Sequence, residues 1–178
     1  MDNTAGTLLI RPESKADIDA IRKLNKRAFK GKNESKLVDA IRESDYFNQA
    51  LSLVAVKDGK VVGHILFTPV KIKDLNSATP ALALAPMAVL PEFQKQGIGA
   101  ALVKHGLGEC RRSGHKIIVV VGHPEYYPRF GFVKAGGKGL ELPFEAADEV
   151  FMALELAPGA LDGVRGTVEY PPEFHKVI

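Results

Sequence analysis

The chain has 178 residues, of which 46% are hydrophobic and 25% are charged, and its formal net charge is +3. These proportions are typical of a globular protein and exclude a disordered or fibrous one, and the small charge does not indicate a nucleic-acid-binding protein. The longest apolar run, residues 81–90, contains Pro86 and is far shorter than the roughly 20 residues that cross a bilayer. No membrane span is therefore predicted.

Length and composition also bear on domain organisation and location. Domains usually have roughly 100–200 residues, so we predict a single domain over 1–178, with a core at about 7–156 and a C-terminal extension at 157–178. The first six residues lack the basic and apolar segments of a secretory signal, which favours a cytoplasmic protein. One cysteine, Cys110, excludes an intramolecular disulfide, and the histidine spacing predicts no metal site.

The N-terminal part of the chain predicts one strand and two helices. An apolar stretch at 7–10 is followed by a capping-box pattern at 14–17 and then by apolar residues at helical spacing. Asn33 is a suitable N-cap for a second, shorter helix, in which apolar residues again recur at helical spacing up to Ile41.

The pattern changes to that of strands from residue 51. Segments 51–56 and 61–70 are rich in β-branched and aliphatic residues and flank Asp58-Gly59, a pair that tolerates the positive φ of a tight turn. This pattern predicts a β-hairpin. Residues 74–80 are predicted to form a polar connection, and residues 81–89 an apolar strand.

The remaining elements complete a predicted mixed α/β sheet. Apolar residues from Ile98 to Cys110 predict a helix that ends near Gly114. Residues 117–121 are five consecutive β-branched residues, as expected of a central strand covered on both faces. A turn or short helix at 123–127, extended structure at 131–133 and a strand at 150–156 follow, and this order of elements is that of an α/β fold.

Two glycines, Gly97 and Gly99, stand where strand 81–89 gives way to the next helix. Glycines there allow close approach of the backbone, and free amides at a helix N-terminus attract anions, so a phosphate group is the natural ligand. The dinucleotide pattern G-x-G-x-x-G would need glycine in place of Leu102, and the ATP loop has no counterpart in this chain.

Two motifs in this sequence resemble signatures of the GNAT superfamily of N-acetyltransferases. Residues 87–99, MAVLPEFQKQGIG, resemble its acetyl-CoA signature, Q-x-x-G-x-G after a strand, and residues 127–132, YPRFGF, resemble its closing Y-x-x-x-G-F. The chain is most similar to a bacterial subgroup of predicted N-acetyltransferases. The resemblance spans about 7–156 and implies an α/β fold, a mixed sheet in which the central pair of parallel strands splays apart.

The resemblance also implies an activity and a site. The expected reaction moves an acetyl group from acetyl-CoA to a primary amine of a small molecule or a protein by direct attack. Tyr127, four residues before Gly131, would be the general acid, and Tyr126 is expected to point elsewhere. The cofactor pyrophosphate would lie on the loop and the pantetheine arm on the strand. The implied residues are Lys95, Gln96, Gly97, Ile98, Gly99 and Ala100 for the loop and the backbone of Met87, Ala88 and Val89 for the strand.

Several alternatives stay open at this point. A non-catalytic acyl-CoA binding or sensing domain would keep the loop without turnover, and an interaction module could use the basic residues of the first helix. The general base could be Glu34, Glu92 or an ordered water. Acetyl-CoA and an amine acceptor are the expected partners, with no nucleic acid and no membrane. A homodimer is an open alternative, and the acceptor and acyl chain length are undecided.

Overall fold

The sheet of this protein is mixed, as predicted, and helices cover both of its faces. The computed structural model describes residues 6–177. Within them the α-helices and strands are, in chain order, β1 (Leu8–Pro12), α1 (Ile18–Phe29), α2 (Asn33–Arg42), β2 (Ser52–Lys57), β3 (Lys60–Lys73), β4 (Ala78–Val89), α3 (Ile98–Arg112), β5 (Ile117–Val121), β6 (Val133–Lys134), β7 (Leu140–Glu141), β8 (Phe151–Glu155) and β9 (Gly166–Glu169).

Strand order explains how the hydrophobic core is divided. The sheet runs β1-β2-β3-β4-β5-β8-β6, β9 pairs with both β3 and β7, and β4-β5 is a parallel pair. Side chains on β3 alternate between faces. Phe67 packs in the cluster beneath α3 with Leu102, whereas Leu66 packs in the cluster beneath α1 and α2 with Ile41. The sheet therefore separates two apolar cores.

The parallel strands β4 and β5 pair over only two positions, Leu82 with Ile118 and Ala83 with Val119. Beyond that point the register of β4 with β3 shifts, so that Ala85 and Pro86 together stand opposite one residue of β3. Two residues facing one is a β-bulge, which bends the strand that carries it. The splayed central pair that the resemblance implied is therefore present, and the bulge lies where the two strands part.

Two connections differ from the sequence-based expectations. Residues 74–80 were expected to be a polar connection, but β3 extends to Lys73 and β4 begins at Ala78, leaving a tight turn. Asp74 Oδ1 closes this turn by accepting hydrogen bonds from the backbone N–H groups of Asn76 (2.8 Å) and Ser77 (2.9 Å). An Asp side chain can thus replace backbone partners in a turn, and the polar composition marks that turn rather than a long loop.

The segment after residue 156 is part of the sheet and the core. β9 pairs with Lys71, Ile72 and Lys73 of β3, although glycine and proline enrichment concealed it in the sequence. Tyr170 and Phe174 are buried in the core beneath α1 and α2. Treating 157–178 as an extension beyond the core was therefore wrong for the part described here.

Three sequence-based predictions concern a secretory signal, a membrane span and a metal site. The prediction about a secretory signal rests on residues 1–6, of which 1–5 lie outside the described part. From residue 6 to residue 177, no helix combines the length and the apolarity that crossing a membrane requires. Over the same range, His, Cys, Asp and Glu side chains form no group of three or more that could hold a metal ion.

A buried polar network ties α2 to the first three strands. Arg42, at the end of α2, donates to the Glu13 carboxylate at 2.9 Å. Ser52 Oγ donates to the same carboxylate and lies 2.9 Å from Nε2 of His64. The Ser52 hydroxyl donates its proton to Glu13 and therefore accepts a hydrogen bond from His64, so the neutral ring carries its proton on Nε2. Nδ1 of His64 has no hydrogen-bond partner among the described residues. Burial and the nearby Arg42 charge lower the pKa of His64 to about 3.

Acidification should therefore destabilise the protein through His64. In the unfolded chain this ring takes up a proton near pH 6.5, but the folded protein resists protonation down to about pH 3. The contribution of neutral His64 to the free energy of unfolding is complete above pH 6.5 and is lost as the pH falls below that value. Between pH 6 and 4 the loss is about 1.4 kcal/mol per pH unit. Urea unfolding should show this slope in the wild type and a shallower one in His64→Gln, and parallel curves would contradict the assignment.

Candidate active site

A cleft of about 990 Å³ opens where β4 and β5 diverge. Its lining residues come from both core clusters, including Met87 and Ile98 from the core beneath α3, and Leu37 and Phe174 from the core beneath α1 and α2. Because these cores lie on opposite faces of the sheet, the cleft passes through the sheet at the gap between the strands. Two molecules entering from opposite faces could meet there.

One wall of the cleft is the loop that begins α3. Gly97 is the N-cap with φ of 84°. A Cβ atom placed on it would meet no atom within 4 Å. The first helical hydrogen bond is donated by Ala101 to Gly97 O, at 3.0 Å. In the described residues the preceding amides of Ile98, Gly99 and Ala100 therefore have no helical acceptor. The helix presents them as an anion-binding site at the edge of the cleft.

Side chains of the loop hold it in place. Gln94 donates from Nε2 to Val89 O at 3.1 Å, which joins the loop to the end of β4. Gln96 donates to Glu92 O and accepts from Lys57 Nζ, both at 3.4 Å. Among the residues predicted to hold the pyrophosphate, Gln96 does not line the cleft, whereas Lys95 and the others from Gly97 onward do.

The register of β4 decides which backbone groups face the gap. Leu90 N donates to Val62 O, so groups at position 90, and at position 88 two residues before it, point toward β3. The backbone groups of Met87 and Val89 point away from β3, toward the gap. The hydrogen bond that Val89 O accepts from Gln94 agrees with this direction. The expectation that the backbone of Ala88 bonds the pantetheine arm does not fit this register, although Ala88 lines the cleft.

Tyr127 lies on the cleft wall with its ring deeply packed. The residue is only 7% exposed. Its ring makes an edge contact with Phe132, with centroids 5.6 Å apart. It also packs directly on Gly122, where a Cβ atom would come within 2.5 Å of Tyr127 Cε2. Burial raises the pKa of the Tyr127 phenol above its usual value near 10. The hydroxyl is therefore protonated throughout the neutral and mildly alkaline range.

Tyr126 also lines the cleft, so the expectation that it points elsewhere is wrong. Its hydroxyl lies against the loop, 2.9 Å from where a Cβ atom of Gly99 would be. The Arg129 guanidinium sits over the Tyr126 ring, 4.5 Å from the centroid. Burial raises the pKa of Tyr126, and the Arg129 charge opposes that rise. A side chain at Gly99 would thus displace Tyr126, which packs against the loop that begins α3.

The two carboxylates considered as general bases have different surroundings. Glu92 forms a two-fold ion pair with Arg27, at 2.8 and 2.9 Å, and this guanidinium lowers the pKa of Glu92. It does not line the cleft. Glu34, at the first turn of α2, does line the cleft and is half-buried, without an ion pair or side-chain hydrogen bond among residues 6–177. The structure therefore favours Glu34 over Glu92.

Sequence reasoning missed several residues of this site. Gly122 and Tyr126 owe their roles to contacts between separate segments, and no local pattern marks them. Phe144, Tyr170 and Phe174 also line the cleft. They come from the part of the chain with the weakest periodicity, where only the recurrence of aromatic residues in a glycine- and proline-rich segment could have drawn notice.

This chain is similar to known proteins both in sequence and in structure. The model of a family described as "Acetyltransferase (GNAT) domain" matches residues 9–135. The "Uncharacterized N-acetyltransferase YjhQ" of Escherichia coli strain K12 is 40% identical over 136 residues, covering 76% of this chain and 75% of that protein. The "Uncharacterized N-acetyltransferase YhbS" of the same strain is 35% identical over 170 residues, covering 95% of this chain and 99% of that protein.

Two solved structures share the fold over nearly the whole chain. The crystal structure of YhbS from E. coli in complex with CoA has a TM-score of 0.89 and 35% identity, and the alignment covers 98% of this chain and 96% of that one. A GNAT family acetyltransferase from Brucella melitensis in complex with acetyl-CoA has a TM-score of 0.78 and 33% identity, covering 95% and 99%.

Replacing Gly122 by alanine should disturb the packing of Tyr127. The new methyl group would overlap the Tyr127 ring, which is buried and also packs against Phe132. Overpacking of this kind costs about 1–3 kcal/mol. Gly137→Ala is the matched control, because a Cβ atom there meets nothing within 4 Å. Equal unfolding free energies for the two variants in urea would show that this contact does not hold the ring.

Proposed function

Because the chain belongs to the GNAT family of acetyltransferases, we propose that it moves an acetyl group from acetyl-CoA to a primary amine by direct attack. The family predicted from the two motifs is confirmed by the family match and by relatives 35–40% identical to this chain. The observation that carries the proposal is the gap between β4 and β5, which ends at the free amides of α3. Such a gap admits an extended ligand whose phosphates reach a helix N-terminus.

The donor is proposed to bind along the loop and the open edge of β4. Amides of Ile98, Gly99 and Ala100 would donate to the pyrophosphate, and the open surface at Gly97 lets the phosphates approach the backbone. Met87 and Val89 would pair with the pantetheine arm as with an added strand. Relatives solved with CoA and with acetyl-CoA, at 35% and 33% identity, support this choice of donor.

The chemistry requires an unprotonated amine and a proton for the leaving thiolate. The amine nitrogen forms a bond to the thioester carbon and gives up one proton, the C–S bond breaks, and the sulfur takes up a proton. Tyr127 is proposed as the donor of that proton, because its buried phenol is protonated at the pH of the reaction and lines the cleft. A backbone N–H on the open edge of β4 would stabilise the negative charge that develops on the carbonyl oxygen.

Gly97→Val should weaken acetyl-CoA binding tenfold or more, because a branched side chain would stand where the phosphate approaches. Gly114→Val is the matched control, since Gly114 has a similar φ (85° against 84°), equally open surroundings and a place at the other end of the same helix. The backbone strain that valine introduces is therefore similar in the two variants. Isothermal titration that gives both variants the same affinity would refute the placement of the pyrophosphate.

Tyr127→Phe should lower kcat by about 10²–10⁴, the usual contribution of a positioned acid, with acetyl-CoA affinity unchanged. The ring and its packing are kept and only the hydroxyl is lost. Release of the CoA thiol measures turnover, with amines of several classes as acceptors. Tyr46→Phe is the control, an exposed phenol outside the cleft. Full kcat in Tyr127→Phe would remove the general-acid role, and tight acetyl-CoA binding by a wild type that acetylates no amine would favour a sensing domain.

A further inference from the structure

The end of the cleft away from the loop has an aromatic and aliphatic wall. Three rings adjoin in series, Phe144 with Tyr170 at 6.0 Å between centroids and Tyr170 with Phe174 at 5.0 Å. Leu37 of α2 packs in the same core cluster, and Phe29 at the end of α1 adds a ring that is 39% exposed. All five side chains line the cleft. An apolar group would be desolvated on this wall with little rearrangement.

The charges of the cleft are unevenly placed. Among the described residues that line it, Glu34 is the one carboxylate, and it stands on α2 beside the apolar wall. Lys95 and Arg129 belong to the loop and to the segment after β5, on the side where the phosphates are proposed to bind. A cationic ligand is therefore attracted near Glu34 and repelled near Lys95 and Arg129.

We propose that the acceptor is a small primary amine carried on an apolar, preferably aromatic, group, with Glu34 binding its ammonium. This inference rests on the proposed acetyl transfer and adds the substrate class. The ammonium would pair with a carboxylate that has no other partner within residues 6–177, while the apolar group lies among the rings of Phe144, Tyr170 and Phe174.

Other amine classes fit this wall poorly. A polyamine brings a second ammonium, which would be buried against apolar side chains without a counter-ion. An amino sugar brings several hydroxyl groups, for which the wall offers few polar partners. Both would lose hydration that the site does not replace.

The experiment compares three amines, 2-phenylethylamine, ethanolamine and spermidine, at saturating acetyl-CoA. Burial of the phenyl group should raise kcat/KM for 2-phenylethylamine about tenfold to hundredfold above that for ethanolamine. Binding of 2-phenylethylamine to the protein saturated with CoA is measured separately by isothermal titration, which requires no turnover.

Variants test the two halves of the subsite. Glu34→Gln should raise the KM for the amine tenfold or more with the KM for acetyl-CoA unchanged, whereas Glu43→Gln, an exposed carboxylate at the other end of α2, should change neither. Phe29→Ala should reduce the preference for 2-phenylethylamine several-fold, and because Phe29 is 39% exposed the variant should keep the fold.

The outcomes separate this inference from the proposed function. Equal rates for the three amines, or a preference for spermidine or ethanolamine, would overturn the inference and leave acetyl transfer standing. Binding of 2-phenylethylamine to the CoA-saturated protein without acetylation of any amine would support the subsite and overturn the transfer. Absence of both binding and acetylation would overturn both.

Discussion

The parting of β4 from β5 is the constraint on which the rest of this molecule depends. A parallel pair in the middle of a sheet normally satisfies its backbone groups along its length. Here the pairing stops after Leu82–Ile118 and Ala83–Val119, and a bulge at Ala85–Pro86 bends β4 aside. The unpaired edge and the gap beside it are tolerated because seven further strands and two separate cores hold both strands. A ligand with amide groups can complete the edge.

The same gap gives the site its geometry. Because the cleft is lined from both cores, a ligand beneath α3 and a second ligand beneath α1 and α2 can approach each other from opposite faces of the sheet. The buried network of Glu13, Ser52, His64 and Arg42 fixes the end of α2 on the strands. The first turn of that helix carries Glu34, so this polar cluster, whose members do not line the cleft, anchors the opposite end of the helix that does.

Local chemistry explains which parts of the fold could be predicted from the sequence. Asp58-Gly59 predicted the hairpin, and the glycines at 97 and 99 predicted a helix start with open backbone amides, because each of these residues acts through its own backbone. The bulge, the direction of the Ala88 backbone groups and the contact of Tyr126 with Gly99 depend on how separate segments align. Arg27 is 65 residues from Glu92 in the chain, and no spacing rule reveals that this ion pair withdraws Glu92 from the cleft.

The C-terminal segment contributes part of the lining of the cleft. The family match ends at residue 135, whereas the ring series of Phe144, Tyr170 and Phe174 lies beyond it. The loop proposed to bind the donor therefore lies within the matched residues, whereas the wall proposed for the acceptor combines Phe29 and Leu37 from those residues with three rings beyond them. Substitutions after residue 135 can change the three rings while the loop that begins α3 and Tyr127 stay as they are. Under the proposed assignment, such a fold can acquire new acceptors without rebuilding its donor site.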